Sequence, residues 1–186
     1  MMKKVIFTAM ALLIVFTISE ARQINGSNST ASGAGKDIKT GRAALKNLEG
    51  AEVSSMARGS FAADFGNVPD VKWKRNGPFD EAMFTKDGKQ MTAYYDYEGN
   101  LVGATRLAAF SELPARGQKE INRRYREYTV GPVIWFEDNE TNTTDMVLYG
   151  IQFDDADTWL VELTKGDSRI VVQVDKAGET SYFQKL

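Results

Sequence analysis

The sequence predicts an α+β fold in which a helix packed on an antiparallel β-meander sheet occurs twice in tandem. Two patterns lead to this prediction. In two stretches, apolar residues recur every four positions, which is typical of an amphipathic helix. Short runs of alternating apolar and polar residues follow each stretch, separated by Gly-, Asp- and Asn-containing turns, as is typical of antiparallel strands. We expect residues 42–186 to form this module, with halves at about 50–110 and 111–186.

The first half begins with a predicted helix within residues 52–65. The apolar stripe of this helix consists of Val53, Ala57, Phe61 and Phe65. Pro69 forbids its continuation, because proline lacks the N–H that a helix interior needs. Strands are predicted at residues 71–75, 81–85, 91–97 and 101–107. The Asp87-Gly88 dipeptide between the second and third strands is a strong hairpin signal.

The second half repeats this order less closely. Ser111 is a good N-cap for a second helix, with Glu112 and Pro114 in the first turn. The residues that share one face of this helix are Gly117, Ile121, Tyr125 and Tyr128. Strands are predicted at residues 133–136, 146–153, 159–163, 169–174 and 180–183.

The start of the chain has the parts of a secretory signal peptide. Two lysines at positions 3 and 4 precede an apolar run at 5–18, and an A-x-A-like triplet ends at Ala21. The run is shorter than the about 20 residues that a membrane span needs. We predict a signal peptide at 1–21, export to the periplasm or the cell exterior, and no membrane segment after cleavage. The Gly-, Ser- and Asn-rich residues 22–41 are predicted to be a flexible linker.

The composition excludes several kinds of chemistry. The chain has neither His nor Cys, so the common zinc sites, Ser-His-Asp triads and Cys-His pairs cannot form. The formal net charge of −2 gives no electrostatic case for binding nucleic acid. The acidic turn with Asp154, Asp155 and Asp157 lacks the spacing of an EF-hand loop. We therefore predict no metal site, no cofactor and no enzymatic activity.

Four aromatic residues on predicted strands are the candidate binding residues: Trp73, Tyr94, Trp135 and Trp159. Aromatic side chains offer a large contact area and a polar tip, which suits a binding surface. The alternative is that they fill the cores between the helices and the sheet. Tyr94 faces opposite to Tyr95 and Tyr97, because side chains alternate along a strand, so one side of this strand should be exposed.

Several segments carry a family resemblance: Phe61-x-x-x-Phe65, Val71-Lys72-Trp73, residues 84–89, residues 93–101 and Ser111-Glu112-Leu113-Pro114. Over residues 53–136 the chain resembles the PepSY-like secreted proteins of Bacteroidetes, whose fold is similar to that of the β-lactamase-inhibitor protein. The C-terminal third departs in detail, with a longer acidic turn at 154–157. The resemblance implies a secreted, non-enzymatic module that binds or restrains other exported proteins, and it supplies no binding residues.

The sequence thus favours an exported, non-catalytic binding module that engages or restrains another protein or a peptide through the surfaces of its sheets. The first alternative is a carrier of a small ligand or glycan, which would need a deep apolar pocket between helix and sheet. A hydrolase that uses only carboxylates is the third reading, and no pair of acids is singled out for it.

Overall fold

The computed structural model describes residue 45 and residues 47–50, 52–154 and 156–186. The predicted signal peptide at 1–21 and the predicted linker at 22–41 lie outside these residues. Within the described ranges, the helices are α1 (Ser55–Phe65) and α2 (Ala115–Arg124), and a 3-10 turn (Phe110–Glu112) precedes α2. The strands are β1 (Lys72–Asn76), β2 (Phe79–Lys86), β3 (Lys89–Tyr95), β4 (Leu101–Ala108), β5 (Thr129–Asp138), β6 (Met146–Leu148), β7 (Ile151–Phe153), β8 (Thr158–Lys165), β9 (Ser168–Asp175) and β10 (Thr180–Lys185).

Eight of these strands form one antiparallel sheet, in the spatial order β1-β2-β3-β4-β5-β8-β9-β10. The sheet is a meander of β1–β4 joined through β4 and β5 to a second meander of β5 and β8–β10. The other two strands, β6 and β7, pair with each other in a separate hairpin. The predicted α+β fold is confirmed, and the structure adds that the two meanders share one sheet. Within the described ranges, both helices fall short of the length and apolarity that crossing a membrane demands.

Both helices pack on the same face of the large sheet, which we call the helix face. Ala93 lies under α1 and pairs with Ala104 on β4. Ala108 lies four residues further along β4 and packs in the α2 core. Side chains four residues apart in a strand share a face. The other face of the sheet therefore carries no helix, and we call it the hairpin face because β6 and β7 lie on it.

Aromatic rings fill the space between α1 and the sheet. Phe61 of α1 packs against Phe84 of β2 with ring centroids 4.9 Å apart, and against Trp73 of β1 at 5.5 Å. Phe65 lies 4.8 Å from the same Phe84 ring. These edge-on and tilted contacts are the arrangements that aromatic quadrupoles favour. Because the rings are in contact, this interface is a filled core, which disfavours a carrier with a deep pocket there.

A buried ion pair holds the start of α1. Asp80 is fully buried and accepts two hydrogen bonds from Arg75, at 2.9 and 3.0 Å. It also accepts the backbone N–H of Ser54, the N-cap of α1, at 2.8 Å. The Ser54 side chain in turn accepts the N–H of Met56 at 3.1 Å. A buried carboxylate is tolerated only when it is paired and hydrogen-bonded in this way.

The two halves share a turn that carries a helix. Between β3 and β4, the carboxylate of Asp96 accepts the N–H of Asn100 at 2.9 Å. Between β9 and β10, the carboxylate of Asp175 accepts the N–H of Glu179 at 2.7 Å. Both turns follow the pattern Asp-x-x-Gly. Gly99 lies against the first turn of α1, and Gly178 lies against the first turn of α2, so each turn positions a helix on the sheet.

The start of the second helix differs from the prediction. Ser111 lies in the 3-10 turn and is not an N-cap, and α2 begins at Ala115 with Pro114 as its N-cap. Proline disfavours a helical conformation in the residue before it, and Leu113 is accordingly extended, with ψ of 150°. The chain therefore cannot enter α2 until it has passed Pro114.

The predicted single strand at 146–153 is wrong, because the structure divides it into β6 and β7. Tyr149 and Gly150 have positive φ angles of 53° and 75° and turn the chain back on itself. Two successive positive φ values are typical of the type I′ turn that joins two-residue hairpins. The apolar residues around Gly150 concealed this turn in the sequence.

Two predicted element ends also differ. β3 ends at Tyr95 rather than at Tyr97, because the Asp96 N–H bonds to the carbonyl of Asn100 and closes the turn. The second helix ends at Arg124, so Tyr125 and Tyr128 follow it. Both tyrosines still pack against the α2 core, as their spacing predicted.

The close contact at Gly99 and Gly178 can be tested by substitution. A Cβ at Gly99 would lie 2.7 Å from the Met56 Cβ, and one at Gly178 would lie 2.9 Å from the Arg116 Cβ. Both glycines also have positive φ, of 79° and 77°. We expect Gly99→Ala and Gly178→Ala each to lower the free energy of unfolding by about 2–4 kcal/mol in urea denaturation, from backbone strain plus overpacking.

Gly88→Ala is the matched control for these variants. Gly88 also has a positive φ, of 73°, but no heavy atom lies within 4 Å of a Cβ built there. Only the backbone strain applies, so we expect a loss of about 1–2 kcal/mol. Equal losses in all three variants would show that the helix contact contributes nothing to the effect.

Candidate binding surface

The β6–β7 hairpin packs on the hairpin face in a cluster that includes residues of both halves. Met146 and Phe153, at the base of the hairpin, are buried in one cluster with Phe136 of β5. The Phe153 ring lies 5.4 Å from the Phe136 ring and 5.6 Å from the Phe183 ring of β10. The second half is thus a three-layered structure, with α2 on one face of the sheet and the hairpin on the other.

Polar contacts hold both ends of the chain segment that carries the hairpin. Asn139 donates its side-chain N–H to the carbonyl of Leu101 at 2.7 Å. Asn142 donates to the same carbonyl at 3.0 Å and to Asp96 at 3.1 Å. After the hairpin, Asp157 accepts the N–H of Asp138 at 2.7 Å. The acidic turn is therefore tied to β5, although Asp155 lies outside the described residues.

The tip of the hairpin is tied to the sheet by the side chain of Tyr149, whose ring lies 6.5 Å from the Phe183 ring of β10. Tyr149 donates to one oxygen of Glu162 on β8 at 2.9 Å, and the other oxygen of Glu162 pairs with Arg169 on β9 at 2.9 Å. Burial raises the pKa of Tyr149, and the neighbouring Glu162 charge raises it further. The phenol therefore stays protonated and can donate to the carboxylate at any physiological pH.

The hairpin face is open near the end of β4. Leu107 lies on β4, an interior strand, yet its side chain is 64% exposed. Its cross-strand neighbour Ile134 is half-buried, as are Met83 and Thr92, which pair with each other on β2 and β3. We call these four residues the open patch. Scattered exposed leucines are ordinary, but this one lies in the middle of an eight-stranded sheet and opposite the apolar Ile134. We therefore take the open patch as the candidate binding surface.

The two edges of the sheet are protected against the addition of another strand. β10 carries a bulge between Tyr182 and Gln184, and Arg124 donates to the outer carbonyl of Thr180 at 3.3 Å. β1 at the other edge is five residues long and exposes two lysines, Lys72 and Lys74. Bulges, short strands and edge lysines are the usual means by which proteins prevent edge-to-edge pairing. The faces of the sheet, rather than its edges, are therefore the candidate binding surfaces.

The structure separates two of the predicted site residues. Trp73 lies on the helix face under α1, with Arg58 stacked 5.1 Å from its ring centroid. Tyr94 lies on the hairpin face, is only 8% exposed, and shares a hydrogen bond of 3.1 Å with Thr105. Both side chains pack against core clusters, and binding by either of them stays a prediction.

The structure brings the other two predicted residues together. Trp135 and Trp159 are direct cross-strand neighbours on the helix face, with ring centroids 4.2 Å apart. Arg106 lies beside Trp135 on β4 and pairs with Glu112 at 2.7 Å. The hydrogen bond from Arg106, and then that from the Ala109 N–H, lowers the pKa of Glu112. Binding by this tryptophan pair stays a prediction.

Sequence reasoning missed the open patch. The strands that carry Leu107 and Ile134 were predicted, but alternation alone does not say which of the two faces a helix covers. The signal lies in pairing: Leu107 lies directly opposite Ile134 only because β4 and β5 are adjacent. Because β4 belongs to the first half and β5 to the second, the sequence pattern of neither half predicts that these strands are adjacent.

Comparison with known proteins supports the fold. No family model matches the chain, and no curated protein does. Among solved structures, the chain is similar to a DUF2874 family protein from Bacteroides uniformis (12% identity, 70% of this chain and 90% of that one, TM-score 0.58). It is similar to a BLIP-like protein from Bacteroides fragilis (15%, 72% and 84%, TM-score 0.53) and to a candidate periplasmic protein from Bacteroides eggerthii (12%, 72% and 89%, TM-score 0.59).

At these identities the similarity shows the fold alone, which is BLIP-like. It agrees with the fold that the resemblance implied, while a PepSY-like assignment and secretion are not shown by it. The neighbours carry descriptions of a domain of unknown function, of an inhibitor-like fold and of a candidate periplasmic location.

The buried tyrosines predict a distinct alkaline titration. Burial is the main cause that raises the pKa of Tyr94, Tyr95 and Tyr149 above the ordinary value of 10.0. Their raised pKa values stabilise the fold fully below pH about 10, and this stabilisation is lost as the pH rises above that value. We expect the ultraviolet absorbance of tyrosinate to show that three of the seven tyrosines ionise only when circular dichroism reports unfolding.

The same titration in concentrated urea is the control, because all seven tyrosines should then ionise together. Full ionisation with the native circular dichroism intact would contradict the burial of these three hydroxyl groups.

Proposed function

We propose that this protein is an exported, non-catalytic binding module that engages or restrains another exported protein through the open patch. The observation that carries the proposal is the exposure of Leu107 on an interior strand, next to its half-buried cross-strand neighbour Ile134. A partner that covers these side chains would gain the hydrophobic free energy that the monomer leaves unused.

The rest of the sheet supports this choice of surface. Helices pack on the helix face, the β6–β7 hairpin packs on part of the hairpin face, and both edges are protected against strand addition. Within the described residues, Leu107 of the open patch is the most exposed of the large hydrophobic side chains. A flat surface on a rigid sheet keeps its shape on binding, which lowers the entropic cost of association.

The buried acids support a non-catalytic role. Asp80, Asp96 and Glu162 are each buried and hydrogen-bonded to fixed structural partners. A general acid or base has to reach a substrate proton, whereas these carboxylates hold a helix start, a turn and the hairpin tip. The chain also lacks the His and Cys on which the common catalytic constellations depend.

The comparisons support the proposal at the level of fold. One similar structure is called BLIP-like and another is a candidate periplasmic protein. An inhibitor-like fold agrees with a protein that binds other proteins outside the cytoplasm. Inhibition of a β-lactamase is not part of the proposal, because one fold serves many functions and the binding side chains decide the partner.

Export is tested by the mature N-terminus. We expect the protein expressed with its full sequence in a Gram-negative host to be recovered from the periplasm or the medium. Mass spectrometry should show a chain that begins at Arg22, because the small Ala21 precedes the cleavage site. A protein that keeps residues 1–21 and stays in the cytoplasm would contradict export.

The open patch is tested by Leu107→Asp, which places a charge in its centre. We expect the immobilised wild type to retain a protein from periplasmic or secreted extract in a saturable manner. The variant should bind that protein at least about 30-fold more weakly, because a charge in an apolar interface stays desolvated and unpaired.

Tyr182→Asp is the matched control, since Tyr182 is a similarly exposed aromatic residue, at 59%, on the edge strand β10. It should bind as the wild type does, and circular dichroism should show both variants folded. If Leu107→Asp and Tyr182→Asp retain the same proteins to the same extent, the open patch is not the binding surface.

A further inference from the structure

The β6–β7 hairpin is joined to the large sheet by side chains alone in the described part of the chain. Its strands pair only with each other, over three residue pairs. The base is anchored by Met146 and Phe153, which are buried, whereas residues 147–152 are half-buried except for Gly150, which is exposed. The outer part of the hairpin can therefore move without breaking a strand ladder of the large sheet.

Tyr149 occupies a position that its backbone does not favour. Its φ of 53° lies in the left-handed region, where Asn, Asp and Gly are the preferred residues of a type I′ turn. A side chain with a Cβ costs stability in this conformation. The hydroxyl group that reaches Glu162 accounts for the presence of tyrosine, because Asn, Asp and Gly have no side chain long enough to make that contact.

Buried apolar residues on the hairpin face continue the open patch into the second half. Ile134 pairs with Leu160 on β8, which is fully buried, and Glu162 pairs with Val171 on β9, which is also fully buried. These side chains lie on the face without helices, so their burial needs another cover. The hairpin is the element on that face, and its tip bonds to Glu162 in the same strand as Leu160.

We propose that the Tyr149–Glu162 contact is a latch, and that lifting the hairpin tip enlarges the open patch by exposing Leu160 and Val171. This regulation rests on the proposed function of the open patch as a docking surface. With the latch closed, the apolar row ends at Ile134. With the latch open, it continues through Leu160, so a protein partner with a longer apolar surface selects the open form. The cost of opening limits binding to partners that make the additional contacts.

A single introduced thiol tests the latch, because the chain has no cysteine of its own. Val171→Cys places the thiol on the hairpin face, opposite Glu162, and Val172→Cys places one on the helix face in the α2 core. Both valines are fully buried. The rate of labelling by a soluble disulfide reagent then reports how often each face opens. The measurement needs no partner protein.

We expect Tyr149→Phe to raise the labelling rate of the Val171→Cys thiol by about 10- to 100-fold, which corresponds to the loss of a hydrogen bond to a charged group. The rate at the Val172→Cys thiol should stay unchanged, because exposure there requires the core under α2 to open. Tyr182→Phe, which removes an exposed hydroxyl group, should change neither rate.

Tyr149→Asn is the second variant. It removes the hydrogen bond to Glu162 and also relieves the backbone strain at position 149, because Asn tolerates a positive φ. We expect faster labelling at Val171→Cys with an unchanged thermal midpoint. Equal acceleration at both thiols, or none at Val171→Cys in either variant, would overturn the latch. If the Val171→Cys thiol labels as expected but Leu107→Asp does not weaken binding, the docking surface is refuted and the latch is not. The two failures are therefore distinguishable.

Discussion

The pairing of β4 with β5 is the constraint on which the rest of the structure depends. Six residue pairs, from Gly103–Asp138 to Ala108–Val133, join the two meanders into one sheet. Because a continuous sheet has two faces, two helices packed on the same side leave the other side bare. Gly103 is part of this junction, since a Cβ there would lie 2.6 Å from the Phe136 ring. The Phe136 ring also packs against Phe153 of the hairpin.

The two halves differ in what covers the sheet face that carries no helix. Both halves start from the same device, an Asp-x-x-Gly turn that holds the first turn of a helix. The second half then inserts the β6–β7 hairpin, which buries Phe136 and closes the face above it. The first half has no such insertion in the described residues, and Leu107 is left exposed at the boundary. The binding surface that we propose therefore arises because only one of two similar halves carries such a hairpin in the described residues.

Polar contacts in this protein are placed where elements meet. Arg75 and Asp80 join a strand pair to the start of α1, and Tyr149, Glu162 and Arg169 join the hairpin tip to the sheet. A buried charged contact adds little net stability but is costly to break one-sidedly, so it specifies which elements lie together. Geometry is thereby specified at two points, one in each half, while the apolar clusters supply most of the stability.

The sequence by itself determined the local elements, because their signals are local. The four-residue stripe that ends at Phe65 and the Asp87-Gly88 turn each act within a few residues, and both match the structure. Local signals can also conflict. Pro114 keeps the preceding residue extended and so prevents Ser111 from capping the helix. The positive φ of Tyr149 turns the chain within what reads as one strand. The tertiary structure alone decided that the meanders share a sheet, that Tyr94 is enclosed and that Leu107 is not. Those outcomes depend on which strands are neighbours in the sheet. Two-residue alternation separates the side chains of a strand into two sets but does not say which set is covered.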